Sequence, residues 1–559
     1  MAETTKERLN KQFAQLESER QSFEPHWREL SDYINPRGSR FLTSEVNRND
    51  RRNTRIIDST GTMAARTLAS GMMSGITSPA RPWFRLATPD PEMMDYGPVK
   101  LWLEAVQNRM NDMFNKSNLY QSLPQLYGSL GTYSTGAMAV LEDDEDIIRT
   151  MPFPIGSYYL ANSPRGSVDT CFRKFSMTVR QLVQEFGLNN VSESVKSMWE
   201  SGTYEKWIEV MHSVYPNIDR DTSKLDSKNK PFKSVYYEVG GDNDKLLRES
   251  GFDEFPIMAP RWEVNGEDVY GSSCPGMLAL GPVKALQLLQ KRKSQLIDKA
   301  TNPPMVAPTS LKNQRASLLP GDITYIDQIT GQDGFRPAYL VSPSTADLVA
   351  DIQDTRQIIN SAYFVDLFMM LQNINTRSMP VEAVIEMKEE KLLMLGPVLE
   401  RLNDECLNPL IDRSFSMMVR KNMLPPPPDA MEGMPLKVEY ISVMAQAQKS
   451  IGLSSLASTV NFIGQLAQAK PEALDKLNVD QAIDAFADMS GVSPTVIVPQ
   501  EQVEQARQQR AQQQQQQQMM AMGMAAAQGA KTLSEAKTSD PSVLSAMANA
   551  VSGQGGQSQ

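Results

Sequence analysis

Apolar residues at Leu9, Phe13, Leu16, Phe23, Trp27, Leu30 and Ile34 recur in steps of three and four, with Arg20 interrupting, and lay one stripe along a helix. Pro25 sits inside the stripe, so the pattern predicts a break at residues 22–25 and a second helix that starts there. That helix should stop before Asn35-Pro36-Arg37-Gly38. The stripe is too short for a coiled coil, and packing on the body of the protein is the better reading. Residues 39–57 are polar and basic and read as a surface loop. Asp58 then caps a helix, STGTMAARTLASGMMSGI, whose Ala, Gly and Ser positions let a neighbouring element come close. TSPARPWF ends it, and a further helix runs through Trp102, Val106, Met110 and Met113.

From about 137 to 262 the period changes. AMAVLED, IIRTMPF, TCFRKFSM, YEKWIEVMHSVYP, KSVYYEV and FPIMAPRWE read as short strands between turn residues, with one helix, TVRQLVQEFG, inserted. LYGSLGTYSTGAMAVLEDD passes from helix into the first of them. This predicts an α+β region on antiparallel strands.

The second half predicts long helices. PGMLALGPVKALQLLQKRKSQLIDKATNPP gives about six turns between prolines. Residues 303–343 are a Pro/Gly-punctuated excursion with two candidate strands, DITYID and RPAYLV. SPSTADLVADIQDTRQIINSAYFVDLFMML reads as one more long helix, with Ser344 and Asp347 as a capping-box-like start. QNINTRSM interrupts it. A still longer helix follows from Pro380 to about Leu424, kinked by Gly396-Pro397 and Pro409. LKVEYIS is a last strand, helices continue to about 490, and a Gln-rich stretch has strong helix formers without a broad apolar face. The end, VSGQGGQSQ, is disordered by composition.

Composition narrows the function. The formal net charge is −10, which argues against a general phosphate-backbone binder. Cys171, Cys274 and Cys406 are far apart and odd in number, which suits a reducing compartment. The charged start has no signal-peptide core, and no window approaches a membrane span, so a soluble chain, intracellular at synthesis, is expected. There are two histidines, no metal-ligand spacing, and no P-loop, dinucleotide fingerprint or nucleophile elbow. The sequence therefore predicts no cofactor, no metal and no enzymatic activity.

Local candidates have plain alternatives. Glu142, Asp143, Asp144 and Glu145 read as a solvated turn before a cation site, since their spacing does not converge like a calcium loop. The 33 methionines, Met369 and Met370 among them, suit core and interface filling. Lys284, Lys291, Arg292, Lys293 and Lys299 either face DNA or pair with Asp347, Asp351 or Asp354 of a neighbouring subunit; the sequence leaves both open.

The order of segments resembles the portal, or head-to-tail connector, proteins of short-tailed bacteriophages. HWRELSDYINP, DSTGTMAARTLASGMMSGITSPARPWFRL, LYGSLGTYSTGAMAVLED and YGSSCPGMLALGPVKALQ…DKATNPPMVAP carry the resemblance over most of residues 1 to 425. The second is the most specific, because its Gly, Pro and Trp-Phe positions fall in one fixed order. Residues beyond about 500 carry no such signal.

The resemblance implies an α+β, mainly helical fold with wing, stem, clip, tunnel loop and crown. It implies a homo-oligomeric ring, usually of twelve copies, at one vertex of the virion capsid. It also implies assembly in the host cytoplasm and contact with the major capsid protein. Double-stranded DNA passes through the centre of such rings, the packaging terminase docks during filling, and tail adaptor proteins replace it. On this chain the parts map to 1–276 (wing), 277–299 (stem helix), 300–343 (clip), 344–371 (stem helix), 372–380 (tunnel loop), 381–441 (kinked helix and return strand of the wing), 442–500 (crown) and 501–559 (Gln-rich barrel or flexible tail). Gln372, Asn373, Asn375, Thr376 and Arg377 would line the tunnel loop. Trp83 and Phe84 would anchor a wing corner where small residues bring helices together. The alternatives are a non-portal scaffold or tail adaptor, and, from a different class, a carboxylate-dependent nuclease of the packaging apparatus.

Overall fold

The computed structural model describes residues 4–42, 55–90, 93, 96–224, 226–242, 245–301, 305–306, 336–337, 345–372, 395–431, 436–441, 459–466, 470, 476–490, 498 and 500–535. The chain divides into two compact units. One holds Met1–Pro89 and Leu101–Gly491, and the other Asp90–Lys100 and Val492–Gln559.

The first unit is built on a five-stranded antiparallel sheet of β4 (Tyr158–Asn162), β5 (Val168–Thr178), β6 (Trp207–Pro216), β7 (Phe232–Glu238) and β8 (Arg248–Phe252), in that order. Alternation sorts its two faces. Phe172, Met211, Val235 and Tyr237 point to one face, where helix α1 (Thr5–Arg20) lays Leu9, Phe13 and Leu16 against them. Val210 and Tyr236 point to the other, where α6 (Val179–Phe186) and α7 (Glu193–Glu200) contribute Val179, Leu182, Phe186 and Val195. The stripe breaks as expected: α1 ends at Arg20 and α2 (Glu24–Tyr33) starts with Pro25 in its first turn. Arg20, the polar interruption, is buried. Its guanidinium donates to the Gly156 and Tyr158 carbonyls at 2.7 and 3.0 Å and lies 3.7 Å over the Tyr159 ring.

The strands β4 and β8 and the helix α7 were not legible. β8 reads RESGF, a polar edge strand, and edges are kept polar because their free hydrogen-bonding groups invite pairing. The strand β2 (Ala137–Asp143) pairs antiparallel with β3 (Ile147–Phe153) and β9 (Ile257–Met258) in a second sheet. The acidic stretch forms its hairpin tip, with the Asp143 carboxylate accepting the Glu145 and Asp146 amides at 2.8 and 3.0 Å.

The helix α3 (Thr60–Ile76) begins where expected. Ser59 occupies the cap position, but the cap oxygen is that of Asp58, which accepts the Thr60 amide at 2.9 Å. β1 (Phe84–Ala87) follows α3 and pairs antiparallel with β12 (Lys437–Tyr440), so the late strand returns to the N-terminal half. Trp83 and Phe84 are fully buried there. The Trp83 indole N–H donates to the Tyr120 hydroxyl at 3.1 Å, and its ring stacks between Phe114 and Tyr440. The helices α4 (Gly97–Lys116) and α5 (Leu119–Tyr133) complete this region. α8 (Pro275–Thr301) starts two residues earlier and ends two later than expected.

Two expectations about the later helices are corrected. The single helix over 344–371 is two: α9 (Thr345–Ala362) and α10 (Val365–Gln372), with Phe364 between them at φ 54. Ser344, its expected cap, lies outside the described residues. The kink near Pro409 is a π turn, Asn403–Leu407, between the helical residues 395–402 and α11 (Asn408–Arg420). Pro409 has no N–H to continue the ladder, and the wider turn absorbs the mismatch. Pro397 sits in the helical segment with no break described there. Residues 381–394, the strand DITYID and most of the loop over 39–57 lie outside the described residues. β10 (Met305–Val306) pairs with β11 (Arg336–Pro337), which falls at the start of the expected strand RPAYLV. α12 (Val479–Ser490) ends the first unit's described helices. In the second unit α13 (Gln500–Glu535) is a single helix of 36 residues with Met519, Met520, Met522 and Met524 exposed.

Candidate functional site

The arrangement that stands out is the helix pair α8 and α9. In α8, Ala279, Leu280, Val283, Leu286 and Gln287 are buried, while from Leu288 onward the helix is half-exposed or exposed. In α9, among the described side chains, only Ile352, Thr355 and Ile359, one narrow stripe, are buried. The chain leaves α8 and returns to α9 through the β10–β11 ladder, so the end of one helix lies beside the start of the other.

Asp58 ties their bases together. Gln290 Nε2 donates to its Oδ2 at 2.9 Å, and Arg356 donates to the same oxygen from Nε and Nη2 at 3.1 and 2.6 Å. Gln287, the one polar residue on the buried stripe of α8, grips the peptide itself. Its Oε1 accepts the Ile57 and Asp58 amides at 2.7 and 2.8 Å, and its Nε2 donates to the Asp58 carbonyl at 3.0 Å. Burial pushes the Asp58 carboxyl up, but hydrogen bonds from Thr60 and Arg356 outweigh it and hold the group below the usual carboxylate range. From this clamp the helices run on for matching lengths, Gln290 to Thr301 and Thr345 to Arg356, each ~16 Å at 1.5 Å per residue.

These extensions carry the charges singled out in the sequence. Lys291, Arg292 and Lys299 are exposed and Lys293 is half-buried on α8; Asp347, Asp351 and Asp354 are exposed on α9. Among the described residues, no ion pair joins Lys291, Arg292, Lys293 or Lys299 to Asp351 or Asp354. Lys284 is different. It sits below the clamp and donates to Glu29 of α2 at 2.7 Å, a partner within its own chain that the sequence reading did not name. Leu288, Ile297 and Ile358 are about half exposed on the same pair.

Gln372 is the last residue of α10, and Asn373, Asn375, Thr376 and Arg377 lie outside the described residues. The clamp was missed in the sequence because Asp58 lies more than 200 residues from Gln287, Gln290 and Arg356; its one local signal was Gln287 on an apolar stripe. Among the described residues no group of three or more His, Cys, Asp or Glu is placed to hold a metal, and no helix is long and apolar enough to cross a membrane. The three cysteines are buried, and burial pushes each thiol up to about 12.

The family model of the bacteriophage head to tail connecting protein matches residues 6–498. This chain belongs to that family. It is 80% identical over 550 residues to the portal protein of Salmonella phage epsilon15, covering 98% of this chain and 99% of the relative. It is 44% identical over 554 residues to the probable portal protein of Bordetella phage BPP-1, covering 99% and 100%. A chain from the neck of an empty GTA particle covers 72% of this chain and 86% of its own at 12% identity and a TM-score of 0.35, a likeness too loose to carry weight. The connector is thus of the portal kind, and the short-tailed-phage resemblance read from the sequence stands.

Proposed function

We propose that copies of this chain close into a ring, twelve by family resemblance, at one capsid vertex, and that double-stranded DNA is packaged and ejected through its centre. The ring sits among major capsid proteins, takes the packaging terminase during filling and tail adaptor proteins afterwards, and does no chemistry of its own. The single observation that carries the stem assignment is the helix pair clamped at Asp58 with a chain excursion between its free ends. Such a pair holds out its connecting segment like an arm, as a stem holds a clip. The half-exposed Leu288, Ile297 and Ile358 support burial by neighbouring copies, since apolar surface left open on a subunit marks an interaction site. Contacts between two different faces of each subunit close into rings when the rotation fits.

In this reading residues 1–276 with 381–441 form the wing, 277–299 and 344–371 the stem, 300–343 the clip, 372–380 the tunnel loop and 442–500 the crown. Residues 501–559 form a Gln-rich helical barrel or a mobile tail. Gln372, Asn373, Asn375 and Thr376 offer uncharged donors to phosphates, and Arg377 adds one cation per subunit, so DNA slides past a thin girdle of charge. Of the stem cations, Lys291, Arg292, Lys293 and Lys299 project beyond the clamp and remain available to DNA or to acids of a neighbouring copy.

Electron microscopy and mass measurement of the purified chain test the ring; a stable monomer or dimer across salt conditions refutes it. Deleting 303–340 should abolish motor or tail docking, and normal docking by that variant refutes the clip. Replacing Arg377 with Glu should leave rings intact and impair packaging. Genomes packaged and retained at the normal rate refute the tunnel loop.

A further inference from the structure

A cavity of about 940 Å³ opens between α2, α3, α5 and the root of the β2–β3 hairpin. Its walls are rich in cations, and three of these are spoken for. Arg20 donates to carbonyls, Arg28 pairs with Glu24, and Lys174 pairs with Glu209 at 3.2 Å. Four are not. Arg37, Arg40 and Arg66 are exposed at the cavity and have no carboxylate partner among the described residues. The Arg173 guanidinium is sandwiched 4.3 and 4.4 Å from Phe153 and Phe175; it donates to the Met151 sulfur, and its buried Nε has no acceptor. A buried donor left open costs on the order of 1–3 kcal/mol, and four cations without a carboxylate partner, against Glu17 as the one remaining carboxylate of the described wall, leave a net positive site preset for an anion.

The same hairpin carries an anion at its other end. Ala137 pairs with Phe153 at the root, on the cavity wall, and Asp143 pairs with Ile147 at the tip. The tip reads Glu142-Asp143-Asp144-Glu145-Asp146; Lys421 of the same chain lies 3.9 Å from the Asp144 carboxylate and donates to the Asp143 carbonyl, and Glu145 and Asp146 are exposed with no ion pair among the described residues. Seven strand residues span ~20 Å, so a subunit's own tip cannot reach its own cavity. We propose that the acidic hairpin tip of one subunit docks into the arginine cavity of its neighbour and sets the register between copies in the ring.

This rests on the ring reading above. It gives that ring what a head-to-tail contact requires, two unlike and complementary patches at opposite ends of one rigid hairpin. The occupant is an acidic turn and not duplex DNA because the cavity is of the size that takes one small molecule or one turn of chain. The chain's net charge of −10 also disfavours a second phosphate surface.

The test uses the full-length chain. Wild-type rings are first established by microscopy; their absence overturns the ring reading and this inference together, before any variant is made. Arg37, Arg40 and Arg66 are then replaced by Glu in one variant, and Glu145 and Asp146 by Lys in another. Each should raise the protein concentration needed for rings by about ten-fold, and the two sets combined in one chain should restore assembly. Separately, Arg66→Cys with Glu145→Cys should give a ladder of subunit multiples with a short bismaleimide, and neither substitution alone should. Wild-type rings with no ladder and no effect of either charge reversal overturn the inference while the ring stands. A cross-link confined to the monomer overturns it too. Unchanged ring yield with lost retention of nucleic acid in the arginine variant overturns it in favour of phosphate.

Discussion

Gly276, the second residue of α8, is where the proposed stem is rooted. A Cβ built there would lie 2.4, 2.8 and 2.9 Å from the O, Cα and C atoms of Thr132. All three are main-chain atoms at the end of α5, and Cys274 Sγ already contacts the same carbonyl at 3.3 Å. No side chain can swing aside, so Gly276→Ala must push two helices apart, which costs about 1–3 kcal/mol. Alanine's helix preference returns up to about 1 kcal/mol in a helix interior, and less in the first turn. The net is a loss of about 1–2 kcal/mol. Gly281, five residues on in the same helix, has no atom of another element within 4 Å of its would-be Cβ. Pro282 follows it, and the proline ring crowds a Cβ on a helical residue before it, which offsets alanine's helix preference, so Gly281→Ala should stay within about 0.5 kcal/mol of wild type. Urea unfolding of the unassembled subunit should lower the Gly276→Ala midpoint and leave that of Gly281→Ala near wild type, with unchanged slopes. Equal shifts in one direction, or a Gly276→Ala midpoint at or above wild type, would show that α8 does not pack on the Thr132 backbone as described.

Arg356→Ala should loosen the base of α9 by about 1–2 kcal/mol, the range for a charge-assisted hydrogen bond discounted for a half-exposed guanidinium, and amide exchange over 345–362 should rise ahead of that in α3. Arg261 is 2% exposed, pairs with Glu405 of the π turn at 2.6 Å and donates to the Gly166 carbonyl. Arg261→Met should therefore cost about 1–3 kcal/mol in unfolding free energy, since it takes the guanidinium from the half-buried Glu405 carboxylate and leaves it only Arg401 at 3.4 Å and the residue-261 amide. His212 is buried against Tyr236 at 3.8 Å, and burial with Arg173 and Arg248 nearby holds its pKa well below the ordinary value. The unfolded chain thus binds a proton that the folded chain refuses. This part of the stability is complete above about pH 6.5 and is lost as pH falls below it, so His212→Gln should flatten the acid limb of a stability profile and leave pH 8 stability less affected.

Much of the fold was legible because period and punctuation agreed. The Pro25 break, the β2 and β3 runs between turn residues and the proline-bounded α8 all follow from local chemistry. What was hidden depended on distant partners. SAYFVDLFMML holds no Gly or Pro and favours helix throughout, so nothing local announces the break at Phe364. β8 is polar because it is an edge, and a polar five-residue strand has no apolar alternation to read. The clamp at Asp58 joins residues from three parts of the chain, and the arginine cavity gathers cations from α3, β5 and the turn after α2, so neither has a motif.

The break at Phe364 bears on how the proposed tunnel loop is held. A non-glycine residue at φ 54 is in the left-handed region, at a cost on the order of 1–2 kcal/mol. It persists because packing on both sides requires it. Before the break, Arg356 reaches Asp58 at the start of α3; after it, Phe368 sits over Gly71, where a Cβ would lie 2.2 Å from the ring. Tyr363, Leu367 and Phe368 are all buried. One helix, α3, therefore fixes α9 and α10 at two separate points, and a straight helix would have to give up one of them. A loop that starts at Gln372 begins four residues beyond the Phe368–Gly71 contact, from an end that α3 pins. Under the proposed reading, any movement of that loop would stop at Phe368, and the helix pair beyond the clamp would keep its geometry. Gly71 is the position on which this depends, because any side chain there would lift α10 from α3 and pass the movement on to the stem.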